Sequence, residues 1–290
     1  MTSGPRLPRL LAFGAVIAIF LMLYVRVFAD LVGIWLENEN YSHGALVAAV
    51  IAYLVWARRT HLAAEAIRPS NVGLAIVAAS LGVLLIGTAG VEFFLMRTSA
   101  VGVIAGSIVF LFGWGWLRQL MFPLGLTALI IPVPPVIFYQ ATFPLQIYAT
   151  KFGVAALELL RIPVLREGNV IELAHTTLEV TEACSGIRSL VSLLALSVLW
   201  GYFADSRAIS RVLITASSIP IAIISNGLRI AGTGIAAQYW GASMATGFFH
   251  SFSGWVVFMT SFAMLIVVAN AVKRLPSPRG FASNPGWSLS

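Results

Sequence analysis

Apolar residues along this chain gather into long runs separated by short polar stretches. Eight runs stand out, at about 10–28, 43–57, 72–91, 99–117, 119–137, 184–203, 212–230 and 250–272. A helix needs about 20 predominantly apolar residues to cross the hydrocarbon core of a bilayer. The pattern therefore predicts an all-α polytopic membrane protein with about eight transmembrane helices. The second run is short, and the fifth is interrupted by Pro132, Pro134 and Pro135. Between the fifth and sixth runs lie two different segments. Residues 138–160 mix Gln140, Gln146, Lys151 and Glu158 with aromatic and aliphatic residues, which predicts an interfacial helix, with a ninth span as the alternative. Residues 162–180 hold short β-rich pieces around Gly168-Asn169, which predict a small extracytoplasmic hairpin element before the sixth span. Residues 1–275 are read as a single transmembrane domain. The tail 276–290, rich in Pro, Ser and Gly, is read as disordered.

Composition agrees with lipid as the solvent. Of 290 residues, 59% are hydrophobic and 10% charged, and mean hydropathy is +0.92. Soluble domains carry about 25% charge, so this chain has too few polar groups to cover its apolar surface in water. The same figures exclude disorder, collagen and coiled coil. The first run follows Arg6 and Arg9, is longer than a signal-peptide core and lacks a clean small-x-small cleavage site. It is expected to stay as a helix.

The net charge of +7 reflects topology rather than nucleic-acid binding. Threading eight spans from a cytoplasmic N-terminus leaves Arg6, Arg9, Arg58, Arg59, Arg68, Arg118, Arg207, Arg211, Lys273, Arg274 and Arg279 inside, with Glu65 and Asp205 as the acids there. Asp30, Glu37, Glu39, Glu92, Glu158, Glu167, Glu172, Glu179 and Glu182 then lie outside. Both termini are expected in the cytoplasm, with the protein in the cell's inner (plasma) membrane among lipids.

Charged and polar groups at membrane depth are costly and mark function. Three clusters fall at the outer ends of successive spans. The first is Thr181-Glu182-Ala-Cys184-Ser185-Gly-Ile-Arg188, around the chain's one cysteine. Thr181 is placed to cap the sixth span, which sets Cys184 in its first turn. There, unpaired N–H groups and the helix dipole favour the thiolate, which is the nucleophile. Ser185 and Gly186 keep the surface small, and Arg188 shares the face of Cys184 at i+4. The second cluster is Ser225-Asn226-Gly-Leu-Arg229, where Arg229 offers a permanent cation for a thiolate or a developing oxyanion. The third is Phe249-His250-Ser-Phe-Ser-Gly254-Trp255, where His250 suits proton transfer and Gly254 lets a neighbouring helix come close. A thiol, a cation and an imidazole are the parts of acyl transfer through a thioester. His43, in Tyr41-Ser-His-Gly44, is a further candidate for orienting the site or binding substrate.

No cofactor is expected. Four scattered histidines (His43, His61, His175 and His250) show no metal-ligand spacing, and no Gly-rich phosphate loop or Gly-x-Ser-x-Gly elbow is present.

Glu182-Ala-Cys-Ser-Gly-Ile-Arg188, then Asn226-Gly-Leu-Arg229, then His250 with Gly254-Trp255, resembles the exosortase/archaeosortase family, with histidine in the third position as in the bacterial exosortase type. Tyr41-Ser-His-Gly44 and Pro132-Val-Pro134 are similar to that family too. The resemblance covers roughly residues 10–272. It implies a membrane-embedded cysteine peptidase or transpeptidase acting on exported proteins. Their C-terminal sorting signal combines a Pro-Glu-Pro-like motif, a membrane helix and a basic cluster. On that resemblance Cys184 is the nucleophile, Arg229 the charge stabiliser and His250 the acid–base residue. Glu182, Ser185, Arg188, Asn226 and His43 are supporting candidates.

Two other readings share the scaffold. A polytopic transporter or assembly component for envelope polysaccharide export would line a midplane path with charge, whereas here polar groups collect at one end. A membrane acyltransferase could use His250 with Asn226 and would not need Cys184.

Overall fold

The computed structural model describes residues 6–173, 176–179, 187–241 and 247–275. They form ten α-helices, one 3-10 turn and three short strands. Five helices are long and apolar enough to cross a membrane: Val16–Glu37, Val72–Ala89, Phe93–Leu111, Ala208–Trp240 and Phe252–Arg274. Two shorter helices, Gly44–Ala57 and Arg188–Ala204, are apolar as well. The protein is thus a predominantly helical, multi-pass membrane protein with a small sheet, and the expected number of eight full-length helical spans is not what helix length alone supports. The chain divides into two compact units, Met1–Pro132 and Val133–Ser290.

The first unit contains α1 (Arg6–Glu37), α2 (Gly44–Ala57), the short α3 (Arg59–Ala64), α4 (Val72–Ala89), α5 (Phe93–Leu111) and α6 (Trp114–Leu126). The fourth apolar run was expected at 99–117, but the helix ends six residues earlier. Gly113 is the cause: it takes φ +97, and a Cβ there would meet the carbonyl oxygen of Arg68. The fifth run, expected as one span at 119–137, is not one helix. Pro123 lies inside α6, a 3-10 turn occupies Thr127–Leu129, and Pro132 and Pro134 keep the chain irregular up to Pro135.

This broken segment still runs the length of α2, antiparallel to it. At one end Arg58 Nη1 donates to the Gln119 carbonyl (2.7 Å), and Gln119 Nε2 donates to Glu65 (2.8 Å). At the other end Trp35 Nε1 donates to the Ile130 carbonyl and His43 Nε2 to the Leu129 carbonyl, both at 3.0 Å. Tyr24, Val27, Leu84, Ala100 and Val103 pack as a core of this unit. Beside them the buried Arg97 pairs with Asp30, and Tyr24 shares a hydrogen bond with Ser99.

The second unit is built on α9 (Ala208–Trp240), a helix of 33 residues. At 1.5 Å per residue it is about 50 Å long, well beyond the roughly 30 Å of a hydrocarbon core. Three helices pack along it: α7 (Pro135–Leu159), α8 (Ile187–Ala204) and α10 (Gly247–Arg274). α8 and α10 run antiparallel to α9, sharing a core of Leu193, Ile214, Ile221, Ala222, Leu265 and Ala269. In lipid such helices are held by close packing and polar contacts rather than by expulsion of water.

Residues 138–160 are helical, as expected, but α7 stands parallel to α9 instead of lying across it. Small residues allow this: a Cβ on Gly227 would collide with the Phe152 ring, one on Gly153 with Ile230, and one on Gly234 would press on Leu157.

The hairpin expected around Gly168-Asn169 is present as part of a three-stranded antiparallel meander. Its strands are β1 (Val164–Glu167), β2 (Val170–Leu173) and β3 (Thr176–Glu179), in that order. Glu167 faces Val170 across the turn, and Gly168 supplies the positive φ of 65. The inward residues Ile171 and Leu173 pack with Ile162, Leu157, Ile230 and Ala231, fixing the sheet on α7 and the far part of α9.

The opposite end of this unit is closed by charge. Arg207, in the turn between α8 and α9, donates to the carbonyls of Val272, Lys273 and Leu275 at the end of α10, while Asp205 holds its guanidinium. The last carbonyls of a helix lack their usual i+4 partners, and that of Val272 accepts from Leu275 N at i+3, so a cation there caps the helix.

Candidate active site

Arg229 sits in the second half of α9, and its guanidinium reaches α10. Nε donates to Ser253 Oγ at 3.3 Å. A Cβ built on Gly254 would lie 3.3 Å from Nη2 and 3.5 Å from Cζ, so the head of Arg229 rests directly on this glycine. Gly254 was expected to admit a neighbouring helix. What it admits is the arginine head itself.

Ser253 and Gly254 follow His250 by three and four residues in α10, so position 250 lies one turn earlier on the same helix face. The structure therefore brings Arg229 and the α10 turn after His250 together.

Cys184, Glu182 and Ser185 lie outside the described residues. α8 begins at Ile187, three residues after Cys184, and turns back into α9 through residues 205–207. Counting about 17 residues from the turn along each antiparallel helix sets Ile187 at the level of Ser225, one turn before Arg229. Arg188, the second residue of α8, is exposed. Asn226 is buried at 3% exposure, and neither amide atom has a hydrogen-bond partner.

A cavity of about 470 Å³ opens between α9 and α10 beside Arg229. Ser225, Arg229 and Thr233 line it from α9, and Ser253, Val256 and Thr260 from α10. It combines one guanidinium and four hydroxyls with an apolar floor, the mixture expected of a pocket that orients a mainly apolar ligand through a few polar contacts. Thr233 escapes the sequence reading, and Ser253 stands in the third cluster without a role of its own, because a lone hydroxyl on an apolar helix carries no spacing signal.

His43 belongs to the first unit. It occupies the N-cap position of α2, with Nε2 on the Leu129 carbonyl and Nδ1 buried without a partner. The bonded carbonyl only accepts, so Nε2 carries the proton. The observed contact is a latch between α2 and the 3-10 turn. Among the described residues no group of His, Cys, Asp or Glu could hold a metal ion.

No curated protein and no solved structure matches the chain. The family model described as transmembrane exosortase (Exosortase_EpsH) matches residues 35–267, which takes in α2 through most of α10 and every motif above. Exosortases are membrane-embedded proteins of a peptidase/transpeptidase family that process sorting signals on exported proteins. This chain belongs to the transmembrane exosortase family.

Proposed function

We propose that the protein is a cysteine peptidase or transpeptidase of the plasma membrane, with both termini cytoplasmic and the site on the extracytoplasmic side. Its substrate is an exported protein whose C-terminal signal joins a Pro-Glu-Pro-like motif to a membrane helix and a basic cluster. Cys184 attacks the scissile carbonyl as the thiolate, and Arg229 stabilises the oxyanion that develops. His250 gives its proton to the departing amine as the C–N bond breaks and the thioester forms. It then takes a proton from the water or amine that resolves the thioester.

The observation that carries this reading is the seat of the Arg229 guanidinium on Ser253 and Gly254, one turn from His250. Charge supports the sidedness. In the first unit Arg58, Arg59, Arg68 and Arg118 gather at one end of the helices, and Asp30, Glu37, Glu39 and Glu92 toward the other. In the second, Arg207, Arg211, Lys273 and Arg274 lie at the end away from Arg229, while Glu167, Glu172 and Glu179 lie on the sheet. Basic ends face the cytoplasm.

The test is a reporter, an exported domain ending in the three-part signal, co-expressed with each variant. Cys184→Ala, Arg229→Ala and His250→Ala should each leave it uncleaved while the enzyme accumulates normally. A membrane-impermeant thiol reagent should label Cys184 in spheroplasts. Cleavage by Cys184→Ala, or labelling only from the cytoplasmic side, overturns the mechanism.

A further inference from the structure

Asn226 is one of the most deeply buried polar side chains of α9, and it is unsatisfied. Its exposure is 3%, and both Oδ1 and Nδ2 are buried without a hydrogen-bond partner. Other described residues leave a single polar atom unpaired, such as His43 Nδ1, Arg97 Nε or Trp200 Nε1. Among them Asn226 alone leaves a donor and an acceptor of the same group unpaired.

Burying such a group unpaired costs stability, and at this position a leucine would avoid the cost. Native proteins rarely keep such groups, and a functional site is one of the few settings that explains them. Among the described residues the fold gives no compensation here. The adjacent Ser225 lies at 3.8 Å from the Met264 sulfur with its hydroxyl, and Gly227 packs on Phe152. The carboxamide takes part in neither contact.

The position is informative. Asn226 precedes Arg229 by three residues on α9, on neighbouring positions of one side of the helix. It follows Ser225, which lines the cavity beside Arg229. It also stands about level with the start of α8, three residues after Cys184.

The chemistry narrows the ligand. A carboxamide is uncharged and presents a donor and an acceptor side by side. That is the complement of a peptide group, which presents C=O and N–H. It suits neither an anion alone nor a cation alone.

We propose that Asn226 binds the backbone of the substrate beside the scissile bond, with Nδ2 donating to a substrate carbonyl and Oδ1 accepting from a substrate N–H. Arg229 supplies charge, and Asn226 supplies register. The proposal rests on the peptidase reading above and names the group that holds the peptide in line.

Asn226→Ala and Asn226→Leu test it, with the three-part reporter as substrate and Cys184→Ala as control. Both variants should melt at or above the wild-type temperature, because an unpaired buried amide has been removed. Single-turnover cleavage should fall about 100-fold, the scale of losing one preorganised donor. Alkylation of Cys184 by iodoacetamide should stay within twofold of wild type, because the thiol is not what Asn226 serves.

Cleavage within threefold of wild type in either folded variant overturns the proposal. So does a melting temperature well below wild type for Asn226→Ala, which would mean that the amide is paired in the free protein. A cleavage loss matched by an equal loss of Cys184 alkylation overturns it too, by showing a distorted site. Cleavage by the Cys184→Ala control strikes the peptidase reading instead, so the two failures are distinguishable.

Discussion

Gly254 offers the sharpest handle on the seat of Arg229. A Cβ at this position would have as its nearest neighbours three atoms of one guanidinium, Nη2 at 3.3 Å, Cζ at 3.5 Å and Nη1 at 3.7 Å. Ordinary carbon contacts are about 3.5–4.0 Å, so a methyl group displaces the guanidinium by a few tenths of an ångström. The helix gains from the same change. Gly254 is interior to α10, where alanine is favoured over glycine by about 1 kcal/mol. Gly254→Ala should therefore raise the melting temperature by about 2–4 °C while slowing reporter cleavage a few-fold. Gly254→Val adds two more carbons and pushes the head by about an ångström, a displacement that costs on the order of 100-fold in rate. The assay is single-turnover cleavage in detergent, paired with thermal melts of the same preparations. Gly254→Val cleaving within threefold of wild type would overturn this seat for Arg229.

Other consequences follow from packing and charge. Alanine at Gly227 or at Gly153 should lower stability by about 1–3 kcal/mol, seen as a lower melting temperature, because each Cβ falls within 2.7 Å of a side chain of the facing helix. Asp30→Ala should destabilise the first unit by about 1–3 kcal/mol, since Arg97 is 5% exposed and would lose its carboxylate; Asp30 itself is 42% exposed, so the loss stays below that of a fully buried pair. Burial alone would raise the pKa of Asp205, but hydrogen bonds from Arg207 and Ser210 outweigh it and hold the carboxyl at about 2. A lowered folded-state pKa contributes stability that is present above the unfolded value near 4 and is lost as pH falls from about 4 to about 2. After solvent screening that contribution is about 1–2 kcal/mol, and melts of Asp205→Asn should lack this acid-dependent step.

The sequence made the apolar helices legible because lipid tolerates little else over a 20-residue stretch. It also located the turn at Gly168-Asn169 and the helix 138–160. What it missed lies where a local residue overrides hydropathy. Gly113 ends α5 early because a positive φ and the approach of the Arg68 carbonyl suit glycine, a constraint set 45 residues away in the chain. The prolines that interrupt the fifth run, Pro132, Pro134 and Pro135, are legible in the sequence, but the 3-10 turn at Thr127–Leu129 before them is not. α9 continues ten residues past the expected end because Gly234 and its neighbours pack on α7 and the sheet, which no property of α9 alone foretells. Among the candidate residues, the sequence picked out Arg229, Asn226 and Gly254 by type and spacing. It could not supply the contact of Arg229 with Ser253, which depends on the register between two antiparallel helices.

The most direct test of the central claim is the intact mass of the purified enzyme quenched during turnover of the three-part reporter. An adduct on Cys184 equal to the N-terminal part of the reporter is expected, released by hydroxylamine as a thioester should be and accumulating when the acceptor is withheld. Cleavage that proceeds with no adduct on Cys184, or with the reporter attached to another residue, would contradict it.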